Sequence, residues 1–134
     1  GNMVATMEVE HAQTSSYGIV TPGEVRDNLI EVCGLIEKPK TEEAPSTTAI
    51  VGRYIIQPSV FSTLSAQCKG AGEEIQLTDA LNAEIGKTPF FGFQFSGQRF
   101  DCGSKLGFLQ ANIALALQRD DLKESIKSWL KEAI

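Results

Sequence analysis

Glu37 and Lys38 stand side by side at the end of an apolar run, in the string Gly34-Leu-Ile-Glu-Lys-Pro-Lys40. A carboxylate can accept hydrogens from two sugar hydroxyls, and an ammonium can pair with a phosphate oxygen. Neighbouring strand residues point to opposite faces, so these two can serve one ligand only where the strand ends and twists. Pro39 helps there by ending regular pairing. The plainer alternative is a strand end with two solvated charges, and spacing alone favours it. Asp101, in Phe100-Asp-Cys-Gly-Ser-Lys-Leu-Gly107, follows a strand-like segment and precedes a helical pattern. Helix amides stabilise a carboxylate at that position. A helix cap is therefore the plain reading and a divalent-cation ligand the functional one. Lys105 reads as a solvated helix residue. Gly18, after Tyr17, is either a glycine bulge in a strand or a point where backbone comes close to a ligand.

The elements that must position these residues can be read in outline. Val4–Val9 alternates as a strand, Tyr17–Val20 is a second, and Thr21-Pro-Gly-Glu24 reads as a turn. Leu29–Cys33 extends as a strand through Leu35 and Ile36. The charged, proline-containing stretch from Lys38 to Ser46 is an exposed loop. Ala49–Ile56 is rich in β-branched residues and reads as a central strand. Pro58 suits the first turn of a helix to about Ala66. Ile75, Leu77, Ala80, Leu81 and Ile85 recur at helical spacing, with Gly86 as the C-terminal cap. Phe90–Phe95 alternates as a strand. Leu106, Leu109, Ile113 and Leu117 mark a buried helix. Asp121 and Glu124 form a capping box for a last helix that presents Leu122, Ile126, Trp129, Leu130 and Ala133 on one face. Early strands followed by helices suggest a mixed α/β sheet with helices packed on it. Lys69-Gly-Ala-Gly72 lacks the strand–loop–helix context of a phosphate loop.

Composition narrows the classes. The 134 residues fit one domain, with 42% hydrophobic and 22% charged residues. A formal net charge of -5 gives no broad attraction for nucleic acid or an anionic membrane. No apolar run approaches the ~20 residues of a membrane helix, and Gly1-Asn-Met-Val4 lacks the zones of a signal peptide. Cys33, Cys68 and Cys102 form no CxxC, which fits reduced thiols in a cytoplasm. Cys33 sits in an apolar run and reads as a small core residue. His11 lies in a polar stretch and is a weak candidate for a ligand or base.

Taken in order, Ser16-Tyr-Gly18, the Glu37-Lys38-Pro39 string, Glu74-Ile-Gln-Leu-Thr-Asp79 and the Asp101-Cys-Gly string resemble the bacterial UTP–glucose-1-phosphate uridylyltransferases, of the sugar-1-phosphate nucleotidyltransferase family. The resemblance runs from about Met3 to the C-terminus and matches only the second half of such an enzyme. It implies an α/β fold: a mixed sheet with flanking helices, the C-terminal half of a Rossmann-like nucleotidyltransferase. Residues 1–134 would be its sugar-binding part, with the nucleotide-binding half absent. It implies that Glu37 binds the sugar hydroxyls and Lys38 the adjacent phosphate. Gly18 would lie against the sugar, Gly52 and Tyr54 would line its pocket, and Asp101 would be one of two carboxylates on Mg²⁺. Tyr54 is equally a core residue. For Glu74–Asp79, a helix cap through Thr78 or Asp79, a pocket wall and a subunit contact all stay open. The implied substrates are UTP and glucose 1-phosphate, in a cytoplasmic homo-oligomer with no nucleic-acid or membrane partner. The rivals are a thymidylyl- or cytidylyltransferase, and a non-catalytic oligomerisation domain of the same fold. Half an enzyme is expected to be inactive, and half a sheet to expose apolar surface and an open strand edge.

Overall fold

The computed structural model describes residues 1–66 and 75–133, which form two compact units, Gly1–Phe95 and Ser96–Ile134. The first unit holds strands β1 (Asn2–Glu8), β2 (Gly18–Arg26), β3 (Leu29–Glu37), β4 (Thr48–Ile55) and β5 (Phe90–Gln94), with helices α1 (Ser59–Ala66) and α2 (Leu77–Glu84). The strands join in the order β1-β4-β2-β3-β5, and β5 returns to β1, so the sheet closes on itself. Only the β1–β5 pairing is parallel. This is the expected mixed α/β arrangement, but the expected open edge is not there: each of these strands has two neighbours, and closure removes the edge. The core joins Val4, Val20, Val32, Leu35, Ile50 and Phe90 from the strands to Val60, Ala80 and Leu81 from the helices.

Local chemistry explains where the strands depart from the pattern read in the sequence. Thr21–Glu24 is not a turn but the middle of β2, opposite Gly34 and Val32 of β3. The ladder shifts register on both sides of Pro22, and a bulge is where a sheet tolerates proline. Gly23 is there because a Cβ would lie 2.6 Å from both Cys33 Sγ and Glu31 Oε2. The reversal comes later, at Asp27 (φ 55°) and Asn28, between the paired Arg26 and Leu29. Asp tolerates that left-handed backbone better than most residues.

The same irregularity sets the phase of β3. Ile30 and Val32 point inward, the chain slips at Cys33, and Leu35 then takes the inward position. Cys33 is therefore exposed rather than a core residue. Glu37, two residues beyond Leu35, falls on the same side.

Helix ends also differ from the sequence pattern. The cap of α2 is Ile85 in extended conformation, and Gly86 (φ 82°) serves the turn between Ile85 and Thr88 instead. In the second unit, α3 (Lys105–Gln118) and α4 (Lys123–Ala133) form a helical hairpin. Leu106 and Leu109 are exposed, and α3 buries Gly107 and Ala111 instead. Asp121 makes no capping box: both its oxygens accept from Arg119, at 2.9 and 2.7 Å. Glu124 pairs with Lys127. Among the described residues no helix is long and apolar enough to cross a membrane.

Candidate functional site

The end of β3 gathers a polar cluster on an otherwise apolar floor. Glu37 is the last strand residue and pairs in register with Gly18, the first residue of β2. A Cβ on Gly18 would lie 3.0 Å from Glu37 Oε2, 3.6 Å from Ile50 Cδ1 and 3.7 Å from Thr78 Oγ1. Glycine here leaves room for the carboxylate. The Thr78 hydroxyl donates to Glu37 Oε2 at 2.6 Å, short for a neutral donor and typical of a charge-assisted bond. Tyr54 stands within the field of this carboxylate: partial burial and the Glu37 charge both hold its phenol above the usual value, so it stays a neutral hydroxyl at neutral pH.

Lys38 shows how the chain leaves the strand. Its φ is 44°, in the left-handed region, which costs a residue with a Cβ roughly 1–2 kcal/mol. A residue before proline normally prefers extended backbone, so the position is doubly unusual. Two features hold it: the Lys38 N–H donates to the Tyr17 carbonyl at 3.0 Å, and Pro39 is buried. The backbone thus breaks between Glu37 and Lys38, as two adjacent residues serving one ligand would need. Lys38 itself is exposed and makes no ion pair among the described residues. Strain of this kind gathers at functional positions.

Helix α2 supports the cluster. Its N-cap is Gln76, with no side-chain cap bond, so neither Thr78 nor Asp79 caps it. Thr78 faces Glu37, and Asn82, one turn later, accepts from the Leu35 backbone N–H at 3.0 Å. Four residues of helix rise about 6 Å, and two residues of strand span about 6.6–6.8 Å. The helix therefore lies along β3 with one polar contact at each end. Sequence reasoning left this string without a role. Its signal was Thr78 and Asn82 at i, i+4 beside the apolar Leu77, Ala80 and Leu81. Glu73 and Glu74 of the string lie outside the described residues, as do Cys68 and Lys69-Gly-Ala-Gly72.

Gly52 stands where β4 loses register with β1, between Ile50 and Tyr54. Its φ is 72°, and a Cβ there would meet nothing within 4 Å. Backbone conformation, not crowding, calls for glycine. His11 begins a 3-10 turn over His11–Ser16 and is exposed.

Asp101 belongs to the second unit. Its Oδ1 accepts from the Gly103 N–H at 3.1 Å, and its carbonyl accepts from the Ser104 N–H at 3.1 Å and hydroxyl at 3.0 Å. The N-cap of α3 is Ser104, whose Oγ accepts from the Gly107 N–H at 3.0 Å. Asp101 is therefore not the cap, and its side chain is exposed. Gly107 makes the turn possible: a Cβ there would lie 2.1 Å from the Asp101 carbonyl oxygen. No group of three or more His, Cys, Asp or Glu side chains converges among the described residues. Mg²⁺ takes oxygen ligands and is usually held by one or two carboxylates beside phosphates and water. A single exposed aspartate fits as one such donor.

Residues 1–118 match the family profile described as Nucleotidyl transferase. The chain belongs to that family. It is 43% identical over all of its 134 residues to a UTP–glucose-1-phosphate uridylyltransferase of Komagataeibacter xylinus, covering 45% of that protein. Two solved nucleotidyltransferase structures share the fold. One, a UDP-glucose pyrophosphorylase complexed with UDP-glucose, is 37% identical with a TM-score of 0.81, over 88% of this chain and 45% of the other. The second, a UDP-glucose pyrophosphorylase from Acinetobacter baumannii, is 30% identical with a TM-score of 0.84, over 100% of this chain and 46% of the other. The chain thus spans about half the length of the curated relatives it matches.

Proposed function

We propose that this chain is the sugar-side part of a nucleotidyltransferase that makes UDP-glucose and pyrophosphate from UTP and glucose 1-phosphate. The observation that carries the reading is the Glu37 carboxylate, held at a broken strand end by the Thr78 hydroxyl beside Gly18. The names of the relatives, similar across the whole chain, support the choice of UTP and glucose.

A phosphate oxygen of glucose 1-phosphate attacks the α-phosphorus of UTP. The bond between the α-phosphorus and the bridging oxygen breaks, and pyrophosphate leaves with that electron pair. The attacking phosphate is already ionised near neutral pH, so no protein base is needed, and positioning and charge neutralisation carry the rate. Glu37 accepts glucose hydroxyl hydrogens and sets the angle of the sugar. Lys38 screens the repulsion between the sugar phosphate and the triphosphate. Gly18 leaves space for the sugar, while Gly52 and Tyr54 line its pocket. Asp101 holds Mg²⁺, which when bound offsets phosphate charge. The same reading has the complete enzyme as a cytoplasmic homo-oligomer, and the net charge of -5 supports the lack of a nucleic-acid partner.

Kinetics of the complete enzyme test this. Glu37→Ala is expected to raise KM for glucose 1-phosphate by roughly tenfold or more, since a hydrogen bond to a charged group is worth about 1.5–3 kcal/mol. Asp101→Asn should cut turnover by about a hundredfold or more and raise the Mg²⁺ needed for half-maximal rate, at an unchanged melting temperature. Unchanged kinetics in Glu37→Ala would remove the sugar assignment. A fall in melting temperature with unchanged Mg²⁺ dependence in Asp101→Asn would leave that residue a structural turn.

A further inference from the structure

We propose that Thr78 is a positioning residue for sugar recognition: anchored by α2, its hydroxyl fixes Oε2 of Glu37 and leaves Oε1 to take the sugar hydroxyls. The inference rests on the assignment of Glu37 to the sugar.

A glutamate at a strand end has several free torsions, and fixing them on binding costs rotamer entropy. Here the cost is met before the ligand arrives. Thr78 is 7% exposed and its Oγ1 lies 2.6 Å from Oε2. As a β-branched residue in a helix it has few side-chain rotamers. Its helix is in turn tied to the same strand by Asn82, which binds the Leu35 N–H at 3.0 Å. The helix is therefore tied to β3 at two points two strand residues apart, the Glu37 carboxylate and the Leu35 N–H. Gly18 leaves the carboxylate oxygen Oε2 its place, since a Cβ there would lie 3.0 Å from it. Oε1 takes no hydrogen bond among the described residues. The Thr78 hydroxyl is not spent on a helix end either, because α2 begins from Gln76 without a side-chain cap bond.

A purely structural threonine would contribute to stability and leave the substrates alike. A positioning threonine acts on the sugar alone. In the complete enzyme, Thr78→Val keeps the shape and removes the donor. It is expected to raise KM for glucose 1-phosphate roughly tenfold while KM for UTP stays within twofold, and Thr78→Ser should restore both. Combined with Glu37→Ala, Thr78→Val should add almost nothing further, because both changes remove one interaction. If Thr78→Val fails to fold, Thr78→Ala carries the same comparison. Two results would overturn the inference alone: a raised KM in Glu37→Ala with none in Thr78→Val, or a KM change in Thr78→Val that is equal for UTP and glucose 1-phosphate. If Glu37→Ala itself leaves KM for glucose 1-phosphate unchanged, the sugar assignment fails and Thr78 falls with it.

Discussion

The two compact units differ in whether they enclose large aliphatic side chains. Gly1–Phe95 encloses large aliphatic side chains, with Ile19, Val20, Val60 and Leu81 at 0% exposed, although Ile55 at 68% and Val25 at 60% stay outside. In Ser96–Ile134, the buried positions of α3 are Gly107 and Ala111, while Leu106 and Leu109 are 67% and 57% exposed. A closed sheet with two helices can surround a core, because alternate strand residues converge on one interior. A two-helix hairpin has only one seam, so a leucine stripe wider than that seam stays outside. Helical periodicity therefore reports which face is apolar and not how much of it is covered. The comparison also separates the two halves of the proposed chemistry. Glu37 stands on a packed floor, whereas Asp101 hangs on a turn held by Gly103, Ser104 and Gly107.

The sharpest way to break this contrast is to truncate a leucine in each unit. Leu81→Ala removes a fully buried side chain from the shared core of sheet and helices, and should cost this chain about 2–5 kcal/mol. Leu109→Ala should stay within about 0.5 kcal/mol, the usual range for a surface change. Denaturant titration of both variants decides. Equal losses would mean that the hairpin stripe is as buried in solution as the core of the first unit.

A smaller effect is expected at the turn that carries Asp101. Gly107→Ala would force a methyl to within 2.1 Å of the Asp101 carbonyl oxygen, which is backbone and cannot swing aside. Overpacking of this kind typically costs about 1–3 kcal/mol. The loss should appear as weaker helical circular dichroism and a lower melting temperature. A variant as stable as the parent would show that the turn has room to relax, and that Gly107 does not fix Asp101.

Much of this architecture was legible because it follows from local pattern. Alternation located β1 and β5, and the β-branched run Ala49–Ile56 contains β4 almost whole. The strand end at Glu37 was readable too, since Pro39 ends regular pairing, but the left-handed turn at Lys38 was not, since a residue before proline prefers extended backbone. What escaped was set by neighbours distant in sequence. Pro22-Gly23 carries the chemistry of a turn, yet the register shift and the side chains of Glu31 and Cys33 keep it inside a strand. Alternation from Ile30 and Val32 puts the Cys33 thiol outside, and the slip after it turns Leu35 and Glu37 inward. Asp101 and Ser104 both suit a helix start, and only the hydrogen-bond pattern assigns the cap to Ser104. Thr78 and Asn82 gained their roles from a strand more than forty positions earlier.

The smallest effect expected concerns Glu84, another held carboxylate of the first unit. Only 3% of it is exposed. It accepts from Ser59 Oγ at 2.7 Å, Thr63 Oγ1 at 3.0 Å and Lys87 Nζ at 3.1 Å, stitching α1 to the end of α2. Those three donors outweigh burial and hold its pKa below the ordinary 4.5, with Ser59 the largest contributor. A depressed carboxylate stabilises the folded state above its unfolded pKa, and the benefit is lost as pH falls through the folded value. Melting temperature should thus be level above about pH 5 and fall below 4.5 as Glu84 takes its proton. Glu84→Gln keeps the shape and much of the bonding but does not titrate. It should melt a few degrees lower near neutral pH, and its own melting curve should decline less steeply in acid. Ser59, Thr63 and Lys87 all favour the charged form of Glu84, so its charge should carry part of the acid-dependent stability. If Glu84→Gln kept the full acid decline of the parent, the clasp between α1 and α2 would not rest on the charge of Glu84.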